Sequence, residues 1–241
     1  MLFRSAEVDQ NFTEANSWQY SFYVPQDIAG LIKLHGGKDN FEKRLDDLFS
    51  TSSQLSGKNQ VDITGLIGQY AHGNEPSHHM AYLYNFVGKP WKTQQIVRKI
   101  MDEMYTHKPD GICGNEDCGQ MSAWYIFSAA GFYPVCPGST QYVIGSPLFP
   151  KAAFNLENGK QFTVIAENNS PQNIYIAEAF LNGQPLTRSW IDHSEIVAGG
   201  ELRFVMTNQP NKEWASSEIE VPVNRIEDNT IAVAQIGRAH V

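Results

Sequence analysis

The spacing of apolar residues changes once along the chain, near Pro134, and this change limits the folds that are open to it. Before Pro134, apolar residues recur at helical spacing between glycines, prolines and asparagines, and after it they alternate with polar residues as in strands. The 241 residues, 41% of them hydrophobic, can bury a sizeable core. We therefore predict an α+β protein with a helical segment at residues 6–138 and a β-rich segment at residues 139–225.

Capping and helix-breaking residues locate the helices of the first segment. Asp27 can cap a helix that Gly36 ends, and Pro76 and Pro90 occupy positions that a first helical turn tolerates. The predicted helices cover residues 28–34, 41–49, 76–87, 91–105 and 120–130. Repeated helix pairs of this kind are typical of a helical barrel.

Alternation and turn residues locate the strands of the second segment. The predicted strands cover residues 142–144, 162–166, 174–180 and 202–206. Asn182-Gly183 is the strongest hairpin signal, because a type I′ turn needs positive φ at both central positions. Gly199-Gly200 is a second candidate hairpin turn.

Charge and cysteine content exclude several kinds of partner. The net charge of -8 is spread without long runs, which argues against nucleic acid and anionic membranes as partners. No run of about 18 apolar residues predicts a membrane span. Cys113 and Cys118 lack the second pair of ligands that a structural zinc needs, so a local disulfide and free thiols both stay open.

Both ends of the chain resemble translated sequencing adapters. Residues 2–5 back-translate to CTCTTCCGATCT and residues 235–241 to CAGATCGGAAGAGCACACGTC, which are similar to adapters in opposite orientations. We therefore expect residues 1–5 and 235–241 to be foreign to the fold, and residues 6 to about 234 to be a biological segment that is cut at both sides. An export signal would then lie upstream.

Three loop segments carry polar and acidic residues that amphipathic patterning does not explain. They are FTEANSWQY at residues 12–20, GNEPSHH at residues 73–79 and GNEDCGQ at residues 114–120. Each leads into a helix, and such loops share one face of a helical barrel, so their carboxylates can converge. Taken singly, acids near a helix start complement its dipole and asparagines favour turns. Taken together, without a nucleophilic Ser or Cys arrangement, these loops favour a mechanism with two carboxylates.

Longer runs around these loops carry a family resemblance. EANSWQY at residues 14–20, HGNEPSHH at 72–79 and GNEDCGQMSAWYIFSAAGFYPV at 114–135 resemble signature segments of the family 92 glycoside hydrolases, which are calcium-dependent exo-α-mannosidases. The resemblance implies an N-terminal β-sandwich, an (α/α)6 barrel and a terminal β-rich extension. This chain matches the later barrel helices and the extension.

The resemblance also assigns roles to the acidic residues. Glu14 matches the general acid and Asp117 the general base of an inverting glycosidase, whose two carboxyl groups stand about 6.5–9.5 Å apart. Asn115 stands where some relatives carry a second Asp, so its help in orienting water is limited to neutral hydrogen bonding. Glu116 is the alternative candidate for the base.

The resemblance further implies a calcium ion that holds hydroxyls of a mannose ring. Asn74 and Glu75 offer hard oxygen ligands of the kind that calcium takes. Trp18, His78 and His79 are candidates for sugar contacts, with core packing and capping as the alternative explanation. The adjacent histidines cannot bind one metal as a pair four residues apart does.

Together, these assignments predict an inverting exo-α-mannosidase that removes terminal mannose from N-glycans or mannans. Its expected partners are mannose-containing glycans and the missing N-terminal β-sandwich of the same parent chain, and the parent is expected to be exported. The alternative is a carbohydrate-binding or structural module, which has no need for two carboxylates that face a common pocket. The chain alone is expected to be inactive, because a partial barrel exposes apolar helix faces.

Overall fold

A computed structural model describes the chain from residue 6 to residue 223. The proposed adapter segments, residues 1–5 and 235–241, therefore lie outside the described residues. Between residues 6 and 223, no helix combines the length and the apolar character needed to cross a membrane. Cys113, Cys118 and Cys136 are free thiols, so the local disulfide that the sequence allows is not formed.

The α-helices lie mostly in the first half of the chain. They are α1 (Ser17–Tyr20), α2 (Ile28–Leu34), α3 (Lys38–Ser50), α4 (Pro90–Met104), α5 (Gln120–Ala130) and α6 (His193–Val197). The side chain of Asp27 accepts a hydrogen bond from the N–H of Gly30 and caps α2, as predicted. Helices α2, α4 and α5 lie where the spacing predicts them, and α3 begins earlier than predicted, directly after Gly37.

The segment predicted as a helix over residues 76–87 consists of two 3-10 helices, Glu75–Ser77 and Met80–Val87. Every residue of Met80–Val87 is buried. Packing on all sides therefore outweighs the local preference for α-helical winding. Gly88 ends this segment in the left-handed conformation, with a φ of 73°, as its position predicts.

Between residues 6 and 223, the strands form two small pairs and two larger sheets. The paired short strands are β1 (Glu7–Val8), β2 (Ser56–Gly57), β3 (Leu66–Ile67) and β4 (Tyr70–Ala71). The later strands are β5 (Phe132–Tyr133), β6 (Gln141–Ile144), β7 (Lys151–Asn155), β8 (Gln161–Glu167), β9 (Tyr175–Leu181), β10 (Gln184–Pro185), β11 (Trp190–Asp192) and β12 (Gly200–Thr207). The five-stranded sheet has the order β10-β9-β12-β8-β7, and the three-stranded sheet has the order β11-β6-β5.

The two predicted hairpin turns have different outcomes. Asn182 and Gly183 have φ values of 51° and 79° and join the antiparallel strands β9 and β10, so the first prediction is confirmed. The prediction for Gly199-Gly200 is wrong. These glycines connect α6 to β12, and their φ values of 75° and 127° serve the exit from a helix.

Two hydrophobic cores meet at the three-stranded sheet. Tyr133 and Val143 belong to the core of the helical part, whereas Phe132 and Ile144 belong to the core of the β part. Neighbouring residues of a strand point to opposite faces, so β5 and β6 each supply one residue to each core. The predicted boundary at residues 138 and 139 falls in the loop between β5 and β6, and its place as a domain limit stays a prediction.

Polar side chains of the helical part also bind the backbone of the β part. Asn85 Nδ2 donates to the carbonyl oxygens of Ile144 at 2.9 Å and Ser189 at 3.3 Å. Arg98 Nη1 donates to the carbonyl oxygen of Pro147 at 2.6 Å. These bonds join buried side chains of the helical part to backbone oxygens of the β part. The β part is thereby fixed against the helices that carry the site loops.

Candidate active site

The first motif places Glu14 on an exposed turn with an anchored backbone. Glu14 has a φ of 52°, in the left-handed region that residues other than glycine seldom adopt. Ala15 and Asn16, which follow it, are buried. The Asn16 side chain caps α1 by accepting the N–H of Trp18 at 3.0 Å. Glu14 is therefore solvent-accessible while the chain beside it is fixed.

The second motif reaches the first through Asn74. Asn74 is buried, and its Nδ2 donates to the carbonyl oxygen of Glu14 at 2.8 Å. This bond joins two motifs whose residues are 60 positions apart in sequence. Glu75 begins the 3-10 helix that follows and is exposed. Of the two predicted calcium ligands, Asn74 is thus the one in contact with the Glu14 turn.

The third motif holds Asp117 in the turn before α5. Asp117, Cys118 and Gly119 have φ values of 51°, 56° and 96°, so three successive residues are left-handed. Such strain is typical of functional turns. Gly119 has no side chain to cap α5, and Glu116 caps the helix instead. One carboxylate oxygen of Glu116 accepts the N–H of Ser122 at 3.0 Å, and the other accepts the hydroxyl of Ser122 at 2.9 Å.

The three loops surround one small polar cavity of about 180 Å³. It is lined by Glu14, Val61, Asp62, Thr64, Gly73, Asn74, Gly114, Asn115 and Asp117. The predicted acid and base, Glu14 and Asp117, therefore share one cavity together with Asn74 and Asn115. Glu75 and the capping residue Glu116 are not part of its lining.

Two residues of the cavity, Asp62 and Thr64, are not among the predicted site residues. Thr64 Oγ1 donates to the carbonyl oxygen of Cys113, which ties this turn to the third motif. A side chain on Gly73 would clash with the Thr64 hydroxyl, so glycine is required for this close approach. The sequence signal is weak, because Asp and Thr in a turn have ordinary structural uses. Predicting the β3–β4 hairpin would have placed them beside Gly73.

The histidines of the second motif lie in the core. His78 Nε2 lies 2.9 Å from the carbonyl oxygen of His72, and His79 Nε2 lies 2.8 Å from that of Phe22. A carbonyl oxygen only accepts, so both nitrogens carry the proton and donate. The two residues are 3% and 4% exposed and do not line the cavity. Their role as sugar contacts stays a prediction.

Trp18 is also packed into the core, with 8% of its surface exposed. The guanidinium carbon of Arg44 lies 3.4 Å from the centre of the Trp18 ring. This cation–π contact covers one of the ring faces on which a sugar could stack. Trp18 does not line the cavity, and its predicted sugar contact is likewise untested.

Burial keeps three histidines of this region uncharged at neutral pH. It lowers the pKa of His72 well below the ordinary value of 6.5, with a further contribution from the neighbouring His78. Burial also lowers the pKa of His78. It lowers the pKa of His79 to about 4, although the hydrogen bond to a backbone carbonyl opposes this shift. Neutral, hydrogen-bonded rings of this kind act as parts of the scaffold.

The donors around the cavity belong to the class that calcium prefers. The lining contains hard oxygen donors and no Lys or Arg; these donors are Glu14, Asp62, Asn74, Asn115 and Asp117. Within residues 6–223, no group of three or more His, Cys, Asp or Glu side chains is arranged to hold a metal ion. The type of donor fits calcium, whereas the arrangement of these side chains does not by itself hold an ion. A bound ion would take further ligands from other oxygens, such as waters or sugar hydroxyls.

A larger surface groove, of about 600 Å³, lies beside the third motif. It is lined by Tyr105, Thr106, His107, Lys108, Pro109, Gly111, Ile112, Ser122, Tyr125 and Ile126. None of the predicted site residues is in this lining. The predicted chemistry thus maps to the smaller, acidic cavity.

Comparison with known proteins identifies relatives of the chain. Residues 2–208 match the model of the glycosyl hydrolase family 92 catalytic domain. An uncharacterized secreted glycosidase of Arthroderma benhamiae is 31% identical over 216 residues, which are 88% of this chain and 26% of the relative. A family GH92 α-mannosidase of Bacteroides thetaiotaomicron is 43% identical with a TM-score of 0.86, over 95% of this chain and 30% of that one. A family GH92 inverting mannosidase of the same species is 41% identical with a TM-score of 0.81, over 92% and 31%.

The matches cover most of this chain but only a part of each relative. The chain spans less than a third of the length of each of these three relatives. The family match begins at residue 2, inside the proposed adapter segment, and includes all three motifs and the cavity. The three motifs, the fold shared with the solved structures and the family match over residues 2–208 all indicate the same family. The chain belongs to glycosyl hydrolase family 92.

Proposed function

We propose that the protein to which this chain belongs is an inverting exo-α-mannosidase that removes terminal mannose from N-glycans or mannans. The observation that carries the proposal is the joint lining of one cavity by Glu14 and Asp117. Glycoside hydrolysis requires two carboxyl groups that flank the same bond. The alternative, a carbohydrate-binding or structural module, gains nothing from this arrangement. Family membership and the two mannosidase relatives support the same substrate class.

The two acids act on opposite sides of the sugar ring in the proposed reaction. Protonated Glu14 gives its proton to the glycosidic oxygen as the bond from that oxygen to C1 breaks. Ionised Asp117 takes a proton from the water that attacks C1, and Asn115 orients that water as a neutral hydrogen-bonding group. Because the water attacks opposite the leaving group, the anomeric configuration is inverted.

The charge of the cavity supports this mechanism. Its lining contains the carboxyl groups of Glu14, Asp62 and Asp117 and no Lys or Arg. The transition state of glycoside hydrolysis resembles an oxocarbenium ion and carries positive charge on the ring. Fixed negative charge beside that ring stabilises the transition state more than the neutral substrate.

Calcium is the proposed cofactor. Asn74 and Glu75 would hold it through their amide and carboxylate oxygens, with further ligands from the hydroxyls of the sugar. When bound, the ion supplies Lewis-acid and templating chemistry to the sugar ring. The oxygen-rich lining of the cavity around Asn74 supports the part of this assignment that concerns Asn74.

The proposed parent protein is longer than this chain. We assign residues 6–138 to the later part of an (α/α)6 barrel and residues 139–225 to a β-rich extension, and we expect an N-terminal β-sandwich in the same polypeptide. Coverage of about a third or less of the relatives supports this. Export is proposed because the Arthroderma relative is described as secreted.

The anomeric form of the product tests the proposed function. The sample is the parent protein, or the mannosidase that is 43% identical with its matching part replaced by this chain. It is incubated with a terminal α-mannoside, and the released sugar is followed by proton NMR. We expect β-mannose first, with α-mannose formed later by mutarotation. Initial α-mannose would overturn the inverting mechanism, and no release of mannose would favour the module without catalysis.

Chelation tests the cofactor separately. EGTA should abolish the release of mannose, and calcium should restore it better than magnesium, because an irregular site with several oxygen ligands favours the larger ion. Unchanged activity in EGTA would overturn the calcium assignment and leave the roles of Glu14 and Asp117 untouched.

A further inference from the structure

A buried network of amide side chains lies directly behind Glu14. Asn16, Gln19 and Gln69 form this amide network, and they are 0%, 1% and 1% exposed. Asn16 Nδ2 donates to Gln69 Oε1 at 2.8 Å. Gln19 closes the ring, because its Oε1 accepts the N–H of Asn16 at 2.7 Å and its Nε2 donates to the carbonyl oxygen of Gln69. The three amides therefore depend on one another.

Gln69 anchors the amide network to the rest of the fold. Its Nε2 donates to the carbonyl oxygens of Ser52 at 2.6 Å and Gln54 at 3.3 Å. Its N–H donates to the carbonyl oxygen of Leu48 at 2.8 Å. With Oε1 bound to Asn16, both ends of the Gln69 amide are used. Gln69 thus links the start of α1 to the end of α3.

The backbone of Glu14 is held from two sides. The amide network fixes Asn16, two positions further along, and Asn74 Nδ2 binds the carbonyl oxygen of Glu14 at 2.8 Å. The φ of 52° at Glu14 lies in the left-handed region, which a residue other than glycine keeps only where its surroundings enforce it. Replacing Gln69 would remove the acceptor for Asn16 and release one of the two anchors.

We infer that Gln69 is a positioning residue for Glu14 and acts through Asn16. The inference rests on the proposed function, in which Glu14 is the general acid. Gln69 is absent from the cavity lining, so it does not touch the sugar. Its loss should impair proton donation above all, since a donor misplaced by about 1 Å can cost about 100-fold in rate.

The test compares Gln69→Met with Gln94→Met in the parent protein. Gln94 is also 1% exposed, and its Oε1 accepts the N–H of Ile176 at 3.1 Å where α4 meets β9. Both substitutions keep the side-chain length and remove one buried amide. Gln69→Met should lower the melting temperature more, because the Gln69 side chain makes three hydrogen bonds and the Gln94 side chain accepts one. The two variants are therefore compared by the ratio of two kcat values, which a loss of stability alone does not change. The kcat is measured on a mannose disaccharide and on an aryl mannoside with a good leaving group.

Of the two glutamine variants, Gln69→Met should change the ratio of the two kcat values and Gln94→Met should not. We expect it to lower the kcat on the disaccharide by about 10- to 100-fold and on the aryl mannoside by about threefold or less, because a good leaving group needs no proton. Asn16→Ser breaks the same bond from the other end and retains a capping oxygen. It should reproduce this pattern, and it provides the test if Gln69→Met does not fold.

Two outcomes would overturn the inference. Equal losses on both substrates in the folded variant, or a ratio no different from that of Gln94→Met, would show that Gln69 has only a structural role. Absence of mannose release by the unsubstituted parent would instead overturn the proposed function, and the role of Gln69 with it.

Discussion

The acidic cavity and the aromatic cluster near it are built largely from the same motifs, but they have opposite environments. The acidic cavity has the carboxylate and amide side chains of Glu14, Asp62, Asn74, Asn115 and Asp117 in its lining. The aromatic cluster consists of His72, His78, Tyr105 and Trp124. The proposed acid and base are exposed, whereas both histidines and the tryptophan are buried. One motif therefore has two environments, because HGNEPSHH supplies Asn74 to the cavity lining and buries its histidines beside it.

The aromatic cluster joins the second and third motifs through directional bonds. Trp124 Nε1 donates to the carbonyl oxygen of His78 at 3.0 Å, and its ring centre lies 4.4 Å from that of His72. His72 Nε2 lies 2.7 Å from the hydroxyl of Tyr105, which itself donates to the carbonyl oxygen of Met121 at 3.1 Å. The Tyr105 hydroxyl therefore accepts from His72. Such bonds hold the loops of the cavity in a fixed relative position.

Replacing either proposed catalytic residue, the general base Asp117 or the general acid Glu14, should produce the largest effect. This effect should fall on activity and not on stability. In the parent protein, Asp117→Asn should lower kcat by about 100- to 10,000-fold on any mannoside, because water must be activated whatever group leaves. Glu14→Gln should cause a similar loss only on substrates with poor leaving groups. Both side chains are exposed, so melting temperatures should stay nearly unchanged.

Asp110→Asn is the matched control for this experiment, since Asp110 is an exposed aspartate outside the cavity lining. It should retain full activity. A large loss of stability in Asp117→Asn would mean that Asp117 supports the fold. A loss of activity in Asp110→Asn would mean that the effect is not specific to carboxylates in the cavity lining.

Truncating the aromatic cluster should have the next largest effect, on stability. Trp124 is 0% exposed, and Trp124→Ala should lower the free energy of unfolding by about 3–5 kcal/mol through loss of buried contacts. Denaturant unfolding of the parent protein measures this. Trp91→Ala is the control, because Trp91 is only partly buried and should cost less. Equal losses in the two variants would mean that the cluster is not a special support of the site.

The scaffold could be predicted from the sequence more fully than the site. Helices α2 and α5 follow from apolar spacing and from the residues that begin and end them, because those signals are local. Strand β7 is not predicted, because it lacks the alternation of large apolar and polar residues. It lies at the edge of its sheet and has one large apolar side chain, Phe154. The 3-10 winding of Met80–Val87 comes from packing on all sides, which the sequence does not state.

The site required information that no local pattern contains. The family resemblance assigns the base to Asp117, with Glu116 as the alternative, and the turn geometry places the two side chains differently. The left-handed backbone from Asp117 to Gly119 leaves Glu116 to cap α5 and Asp117 to line the cavity. Gln69 lies outside the three loop segments from which the site was predicted, because its role depends on contacts that are distant in sequence, such as that with Asn16.

Titration of the buried histidines should produce the smallest effect, a loss of stability in mild acid. His79 has a folded pKa of about 4 against an ordinary value of 6.5, so between these pH values the unfolded chain binds a proton that the folded chain does not. The loss of stability begins as the pH falls through about 7 and approaches about 1.4 kcal/mol per unit below about pH 6 for this histidine. His79→Gln keeps a donor for the carbonyl oxygen of Phe22 and cannot titrate. Urea unfolding of the parent between pH 5 and 7 should therefore show a slope that is shallower by about 1 kcal/mol per unit on average. An unaltered slope in His79→Gln would mean that this ring can be protonated in the folded protein, and the buried region would then lose the uncharged character that sets it apart from the acidic cavity.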